Sequence, residues 1–305
     1  MKRFLLCVGC LFLATVGLLM ANDQLNLWLV LSSTGTSRYK MRRLFVESHP
    51  GEIPIIGSSR ARHSYATSLL STNAFNYGLN GSGQNETLVH LQAILAKGES
   101  SLCIVNLDPW GFCRKKVVGD YSLAKGPLPS SLELAEGEHL LDRIPGLRFY
   151  GCLRANLTEF IGEKYGIGAK RIDRGAVLSI VERSRAEWDY IIRTKAPKTY
   201  EVDPEVFQEY RRTLQSNNRV EIVFVLAPIP AEWWDSFAGK TALRDLCDQL
   251  ATIPHVTVID LCTVNLGAFD FSLFMDDQHC NAKGAVRFTQ QLRAELRKQG
   301  LLADR

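Results

Sequence analysis

Two short segments of the 305-residue sequence have the residue types and spacing that serine acyl chemistry requires. Ser59 follows Gly57 and Ser58 at the end of an apolar run, where a strand can turn sharply into a helix whose first N–H groups favour negative charge. Asp276 precedes His279 by three residues, so its carboxylate can accept the Nδ1 proton and leave Nε2 free to deprotonate an alcohol. Taken singly, the serine is also typical of a helix cap and the Asp-x-x-His segment of a solvated loop.

Two further segments follow apolar runs and can face the same site. The segment 76–83 is rich in glycine, which lets backbone N–H groups approach a ligand without side-chain obstruction, although alone it is simply a loop. Asp108, Pro109 and Trp110 follow the run that ends at Leu107, and they are the least specific of these signals. A metal site needs three or four ligands, and no HExxH or paired CxxC pattern accompanies His279, so neither a metal nor another cofactor is predicted.

Four side chains are candidates for substrate binding. Trp233 and Trp234 come just after a predicted strand, and with Trp110 they could form an aromatic wall on which a sugar ring stacks; simple packing is the alternative. Arg60 directly follows Ser59 and could neutralise an acidic acceptor, or could equally pair with a carboxylate of the protein. The remaining histidines show no partner pattern and are expected to be structural or exposed: His49, His63, His90, His139 and His255.

The elements that must position these residues alternate between strands and helices. Strands are predicted at 53–57, 74–77, 102–107, 221–227 and 256–261. Continuous apolar runs such as residues 222–226 are typical of sheets buried on both faces. Helices are predicted from about 58 to 70 and at 84–96, 240–250 and 282–298. This alternation predicts a parallel sheet wrapped by helices, with a mainly helical insertion at about 113–219 over the active face or as a small subdomain.

The N-terminus predicts a membrane segment. Lys2 and Arg3 precede an apolar run from Phe4 to Ala21, which is just long enough to span a bilayer and favours a cytoplasmic N-terminus with the rest exported. Residues 1–21 are therefore a signal anchor or a cleaved signal, 22–50 a connector, and 51–305 the folded domain. The basic stretch at 38–43 could rest on lipid headgroups or form a solvated face. Net charge is only +4 and scattered, so nucleic acid is not an expected partner.

In this chain order, the segments resemble the SGNH (GDSL-like) hydrolase family over roughly residues 53–111 and 220–297. The resemblance implies a three-layer α/β/α fold with a flavodoxin-like parallel sheet, in which Ser59 is the nucleophile and His279 and Asp276 complete the triad. It also implies an oxyanion hole formed by the backbone N–H groups of Ser59 and Gly81. The family's third block normally supplies an asparagine donor; here Asn106 or Asp108 takes that place, and an ionised Asp108 would have to be protonated, turned away or otherwise employed.

The Gly-Ser-Ser-Arg opening, the N-terminal apolar segment and the Asp-Pro third block resemble the subgroup that includes the D-alanyl transfer protein and the alginate O-acetylation proteins. This resemblance implies a membrane-bound or exported serine esterase or O-acyltransferase that acts on an acylated or acceptor glycan, beside a multispanning membrane O-acyltransferase. The alternative is a non-catalytic protein of the same fold that binds polysaccharide or such an acyltransferase. A nucleotide-binding protein is the most distant alternative, because no GxGxxG or Walker pattern follows any predicted strand.

Overall fold

The structure is a computed structural model that describes residues 1–109, 111–115, 118, 149, 152–165, 170–194, 202–263 and 269–303. Its strands are β1 (Ile53–Ile56), β2 (Ala74–Asn76), β3 (Leu102–Leu107), β4 (Lys170–Asp173), β5 (Ala176–Ser179), β6 (Glu221–Leu226) and β7 (Val256–Asp260). Its helices are α1 (Lys2–Leu31), α2 (Ser37–Val46), α3 (Ser59–Ser64), α4 (Thr67–Leu70), α5 (Gln84–Lys97), α6 (Leu153–Tyr165), α7 (Arg185–Thr194), α8 (Pro204–Gln215), α9 (Ala231–Ser236), α10 (Lys240–Ala251) and α11 (Ala282–Lys298).

The centre of the fold is a five-stranded sheet in the order β2-β1-β3-β6-β7. Every pair of neighbouring strands is parallel, as in β3 and β6, where Ile104 lies opposite Val223. Counted along the chain, the sheet strands follow the 2-1-3-4-5 order of flavodoxin-like folds. The predicted parallel α/β fold is confirmed.

Helices cover both faces of this sheet because each strand is apolar on both sides. In β6, Ile222 and Phe224 face the core beneath α2, α5, α8 and α10, whereas Val223 faces the core beneath α3, α4 and α11. All three side chains are fully buried. The result is three layers, and the carboxyl ends of β1, β3 and β7 meet at one edge, where ligands of such sheets bind.

The segment predicted as a helical insertion differs from that expectation in two ways. β4 and β5 form an antiparallel hairpin, since Arg174 and Gly175 both have positive φ, as a type I′ turn requires. In addition, α8 belongs to the layer that covers the sheet, because a parallel connection from β3 to β6 must cross one face. Its Tyr210 hydroxyl donates to the Gln84 carbonyl at 3.0 Å. Most of residues 116–151 lie outside the described residues.

The N-terminal helix is longer than the predicted membrane segment. α1 continues past Ala21 to Leu31, and its last third packs on α6: the Asn156 amide donates to the Asn26 side-chain oxygen at 2.7 Å, and the Trp28 and Phe160 rings lie 5.0 Å apart. Of the described helices, α1 is the one long and apolar enough to cross a membrane, with a mean hydropathy of 2.5 in its most apolar window. By length and composition it can be an anchor or a signal sequence.

The expected connector at 22–50 is mostly helical and packed on the domain. Thr36 caps α2, because its hydroxyl accepts from the Tyr39 N–H at 3.1 Å. Lys40 and Met41 of α2 are fully buried, and Arg43 pairs with Glu52. The basic stretch at 38–43 is therefore neither a free solvated face nor wholly available to lipid headgroups.

Candidate active site

The structure brings Ser59, His279 and Asp276 together. The Nε2 atom of His279 lies 2.7 Å from the Ser59 hydroxyl oxygen, although the two residues are 220 positions apart in the chain. Its Nδ1 atom lies 2.8 and 2.9 Å from the two carboxylate oxygens of Asp276. This is the geometry in which an imidazole removes a hydroxyl proton while a carboxylate fixes the tautomer of the ring.

The loop that carries Asp276 and His279 is held by its own hydrogen bonds. The Met275 N–H donates to the His279 carbonyl at 2.9 Å, and Asn281 caps α11 by accepting from the Gly284 N–H. The side chains of His279 and Asp276 keep 17% and 26% of their surface exposed, so a ligand can reach them from solvent.

Asp276 is held as a carboxylate. Partial burial alone would raise its pKa, but the hydrogen bond to the His279 ring and those from the N–H groups of Gln278 and His279 outweigh that effect and lower the pKa to about 2. A carboxylate that is ionised at neutral pH accepts the Nδ1 proton and stabilises the imidazolium that forms during proton transfer.

Ser59 lies at the first position of α3, directly after a tight turn. Gly57 has a φ of +143°, and a Cβ there would lie 2.9 Å from the Cβ of Asn106, so the turn needs glycine for both its conformation and its packing. Ser58 caps α3 by accepting from the Arg60 N–H at 3.2 Å. The sequence alone also allowed this serine segment to act as a helix cap. In the structure Ser58 is that cap, and Ser59 faces His279.

Asp108 lies beneath the Ser59 turn, and its carboxylate contacts three residues there. Its carboxylate accepts from the Ser58 hydroxyl at 3.0 Å and from the Asn106 amide at 3.2 Å, and it lies 3.7 Å from the Arg60 guanidinium. Burial raises the pKa of Asp108, an effect that Arg60 and the Ser58 hydrogen bond oppose. All three contacts are made by the Oδ1 atom with residues of the core, so this oxygen holds the serine turn from below.

Asn106 does not replace the missing donor. It is fully buried, its amide nitrogen donates to Asp108, and its amide oxygen accepts from the Tyr65 hydroxyl at 3.2 Å. The expectation that Asn106 or Asp108 supplies a third oxyanion donor is therefore not supported by their contacts. Both residues instead fix the position of the turn that presents Ser59.

Gly81 lies in an exposed part of the loop at 76–83, with a φ of +81°. This loop packs on the serine turn, because the Leu79 N–H donates to the Gly57 carbonyl at 3.0 Å and the Asn76 amide donates to the Ala61 carbonyl at 2.8 Å. The loop at 76–83 is therefore hydrogen-bonded to the turn and helix that carry Ser59. The oxyanion role of Gly81 stays a prediction.

The predicted substrate-binding side chains point into the core instead. Arg60 is fully buried and donates to the carbonyls of Ala227 and Pro228 at 2.6 and 3.1 Å, so its guanidinium pairs within the protein. Trp233 and Trp234 are 2% and 4% exposed and pack on Phe237, which agrees with simple packing rather than an aromatic wall. Trp110 lies outside the described residues, as does His139.

His63 is a site residue that the sequence reasoning assigned no role. Its ring centroid lies 5.3 Å from that of His279 in an edge-on arrangement; its Nδ1 donates to the Val177 carbonyl at 2.7 Å, and Nε2 lies 3.3 Å from the Asn80 side-chain amide. Burial, with a contribution from His279, lowers its pKa to about 4, so the ring is neutral at pH 7. The sequence did contain a signal, since His63 follows Ser59 by four residues and thus one helical turn.

Among the described residues, no group of three His, Cys, Asp or Glu side chains could hold a metal ion. The groups of this site that can perform chemistry are Ser59, His279 and Asp276 and the backbone N–H groups around them. A serine with a histidine base and a dipole-bearing helix start is suited to attack on an acyl carbonyl.

Comparisons with known proteins add resemblances of overall structure. No family model and no curated protein matches the chain. A solved protein of Bacteroides fragilis assigned as an acylhydrolase is similar at 10% identity and a TM-score of 0.45, over 87% of this chain and 97% of that one. A Streptococcus pneumonia protein assigned as platelet activating factor is similar at 11% identity and 0.37, over 90% and 98%. An acetyl xylan esterase from Butyrivibrio proteoclasticus is similar at 10% and 0.33, over 84% and 66%. At these identities and scores the likenesses carry no functional argument, which depends on the site itself.

Proposed function

We propose that the protein is an extracytoplasmic serine esterase or O-acyltransferase that acts on acyl esters of a cell-surface glycan through an acyl-serine intermediate. One observation carries the proposal: His279 Nε2 lies 2.7 Å from the Ser59 hydroxyl while its Nδ1 is held by Asp276. A neutral serine is a weak nucleophile, and this contact supplies the base that activates it.

In the first half of the reaction, the Ser59 oxygen attacks the ester carbonyl and His279 Nε2 takes the hydroxyl proton. The tetrahedral intermediate carries its negative charge near the start of α3, where the backbone N–H groups of Ser59 and Gly81 stabilise it. The intermediate collapses as the bond to the leaving alcohol breaks, and His279 returns the proton to that alcohol. An acyl-serine and a free alcohol result.

In the second half, a second hydroxyl attacks the acyl-serine while His279 removes its proton. When water attacks, a carboxylic acid is released and the protein is an esterase. When a glycan hydroxyl attacks, the acyl group moves to a new ester and the protein is a transferase. Both outcomes regenerate the Ser59 hydroxyl and use the same side chains.

Two features of α1 support the proposed location. Lys2 and Arg3 precede its apolar part, which supports a cytoplasmic N-terminus and a domain outside the membrane. The continuation of α1 onto α6 supports an anchor that remains attached, because Leu29 and Val30 are buried in the domain. A multispanning membrane O-acyltransferase is the proposed partner, and an acylated or acceptor glycan is the proposed substrate.

A fluorophosphonate probe tests the proposal, because it reacts only with an activated serine. We expect the full-length protein in detergent to be labelled, Ser59→Ala to be unlabelled, and Ser216→Ala, an exposed serine at the end of α8, to be labelled as the parent is. Incubation with p-nitrophenyl acetate, with and without an acceptor oligosaccharide, then separates the two activities: transfer yields an acetylated oligosaccharide by mass spectrometry. If the correctly folded parent protein is not labelled, the proposed enzymatic activity is wrong.

A non-catalytic role is the second candidate, and the position of Asp108 favours it. Among the described residues, the Oδ1 atom of Asp108 and the Asn106 amide are engaged in the core, and neither of these groups supplies the side-chain donor that the family resemblance implies. Loss of one such donor costs about 10² to 10³ in rate. Polysaccharide binding by an unlabelled, folded protein, measured by calorimetry, would support this role.

A further inference from the structure

Lys40 is a fully buried lysine with one described hydrogen-bond acceptor. Its Nζ atom donates to the Gly78 carbonyl at 2.7 Å, and no carboxylate among the described residues lies within ion-pair distance of it. Burial lowers its pKa well below the ordinary value; Arg62 adds to this effect and the charge of Glu163 opposes it. Burying an ammonium costs more than a single hydrogen bond returns, so folding alone gives little reason for a lysine at this position.

Gly78 belongs to the loop at 76–83, and the described donor to its carbonyl is the Lys40 side chain. Its N–H donates to the Asn76 side-chain oxygen at 2.9 Å, and a Cβ on Gly78 would lie 2.5 Å from the backbone nitrogen of Arg62, so the residue is pressed against α3. Gly78 is itself buried. A buried carbonyl needs a donor, and α2 provides it through Lys40.

The donor comes from an element that is itself held in place. The turn before α2 is fixed by Glu163 of α6, which accepts from the Thr34 N–H and hydroxyl at 3.0 and 2.7 Å. Met41 and Leu44 of α2 are buried in the same core as α5. Lys40 thus joins α2, which α6 holds in place, to the loop that lies on the serine turn.

We propose that Lys40 is a positioning residue that holds the loop at 76–83 so that the Gly81 N–H faces the oxyanion. The inference rests on the proposed function and deepens it, because it makes the N-terminal helices part of the catalytic architecture. Since Asp108 and Asn106 do not donate, the Gly81 N–H carries a larger share of oxyanion stabilisation. Misplacing one such donor lowers kcat by about 10²-fold.

Lys40→Met tests the inference, because methionine keeps the length and apolar character of the side chain and removes the donor. Lys97→Met is the matched control: Lys97 also donates to a backbone carbonyl, that of Glu47 at 2.5 Å, and the bond lies at the other end of α2. We expect Lys40→Met to lower kcat for p-nitrophenyl acetate by about 10²-fold with KM within about twofold of the parent. Lys97→Met keeps the parent kcat.

Amide hydrogen exchange of the full-length protein gives a readout independent of activity. Exchange in peptides covering 76–83 rises in Lys40→Met and is unchanged in Lys97→Met. Hydrogen exchange tests the role of Lys40 even if the parent protein hydrolyses no ester. Absence of ester hydrolysis would contradict only the proposed function.

If Lys40→Met does not fold, Lys40→Leu, which also removes the donor, carries the same two measurements. Parent values of kcat and loop exchange in a folded Lys40 variant would overturn the inference. So would failure of both variants to fold, because Lys40 would then act on the whole fold rather than on the loop.

Discussion

The Arg60 guanidinium and the Asp108 carboxylate lie 3.7 Å apart, both buried beneath the turn that presents Ser59. Ser58 donates to the same carboxylate, so the residues on either side of the nucleophile are tied to one anchor from the end of β3. Asp108 thus stabilises the turn that presents Ser59 from below.

Replacing this carboxylate tests that assignment. We expect Asp108→Asn to lower the free energy of unfolding by about 3 kcal/mol, because removing one partner leaves the Arg60 charge buried without its counter-ion. Urea denaturation measures the loss. The variant places at 108 the asparagine that the family resemblance implies, yet kcat should not rise, since the Oδ1 contacts of this side chain lie in the core; a tenfold gain in kcat would contradict this placement.

Local patterns explain what could be predicted from the sequence. β3 was predicted with its observed bounds because residues 102–107 are apolar except for Asn106, and α11 because residues 282–298 have a helical apolar period. The Asp276 and His279 pair was found for the same reason, since both residues lie in one short segment. These features need no knowledge of distant contacts.

What the sequence did not reveal depends on contacts between separate elements or on weak turn signals. The pairing of Arg60 with Asp108 joins residues after two different strands, and its burial could not be read from either segment. The hairpin of β4 and β5 turns at Arg174 and Gly175, a less recognisable pair than Asn-Gly, and β4 is largely exposed. Packing of α1 on α6 likewise joins segments about 130 residues apart.

Asp276 should matter through the tautomer of His279. We expect Asp276→Asn to lower kcat by about 10³- to 10⁴-fold, because an amide does not stabilise the imidazolium and favours the wrong proton on the ring. Steady-state hydrolysis of p-nitrophenyl acetate measures the effect. Asp270→Asn, which removes the exposed cap of the short 3-10 helix nearby, is the control and should stay within twofold of the parent.

Stability should fall as the solution is acidified from pH 7 to pH 4. Burial lowers the pKa of both His63 and His90 from 6.5 to about 4, so between these values the unfolded chain binds more protons than the folded chain. Each histidine then contributes a loss of about 1.4 kcal/mol per pH unit. Urea denaturation at several pH values measures the slope.

A matched pair of variants separates the two contributions. His63→Gln removes one of the buried imidazoles and should reduce the slope by about half. His90→Gln removes the other buried imidazole and should reduce the slope by a similar amount. An unaltered slope in His63→Gln would show that His63 is not buried as a neutral ring.

Trp233 should act on stability and not on substrate binding. Its indole is buried and stacks on Phe237 with ring centroids 5.1 Å apart. We expect Trp233→Ala to lower the free energy of unfolding by about 3 to 5 kcal/mol through the cavity it creates. KM for acylated oligosaccharides should be unchanged within twofold. A large increase in KM at unaltered stability would return this residue to the substrate site.

Two truncations distinguish the membrane part of α1 from the part that belongs to the domain. Removal of residues 1–21 takes away only exposed apolar surface, so the remaining protein should stay folded without detergent and keep its kcat. Removal of residues 1–31 also takes away the buried Leu29 and Val30 and the hydrogen bond from Asn156 to Asn26. Each fully buried aliphatic side chain contributes about 1.5 to 3 kcal/mol, so this second truncation should be less stable by several kcal/mol. Thermal unfolding measures the difference.

Asn26→Ala in the full-length chain, which costs about 1 to 3 kcal/mol by leaving the Asn156 amide unpaired, gives the share of that one contact. Equal stability of the two truncations would mean that the end of α1 is not part of the domain, and the route from the N-terminal helices to the loop at 76–83 would then begin at α2.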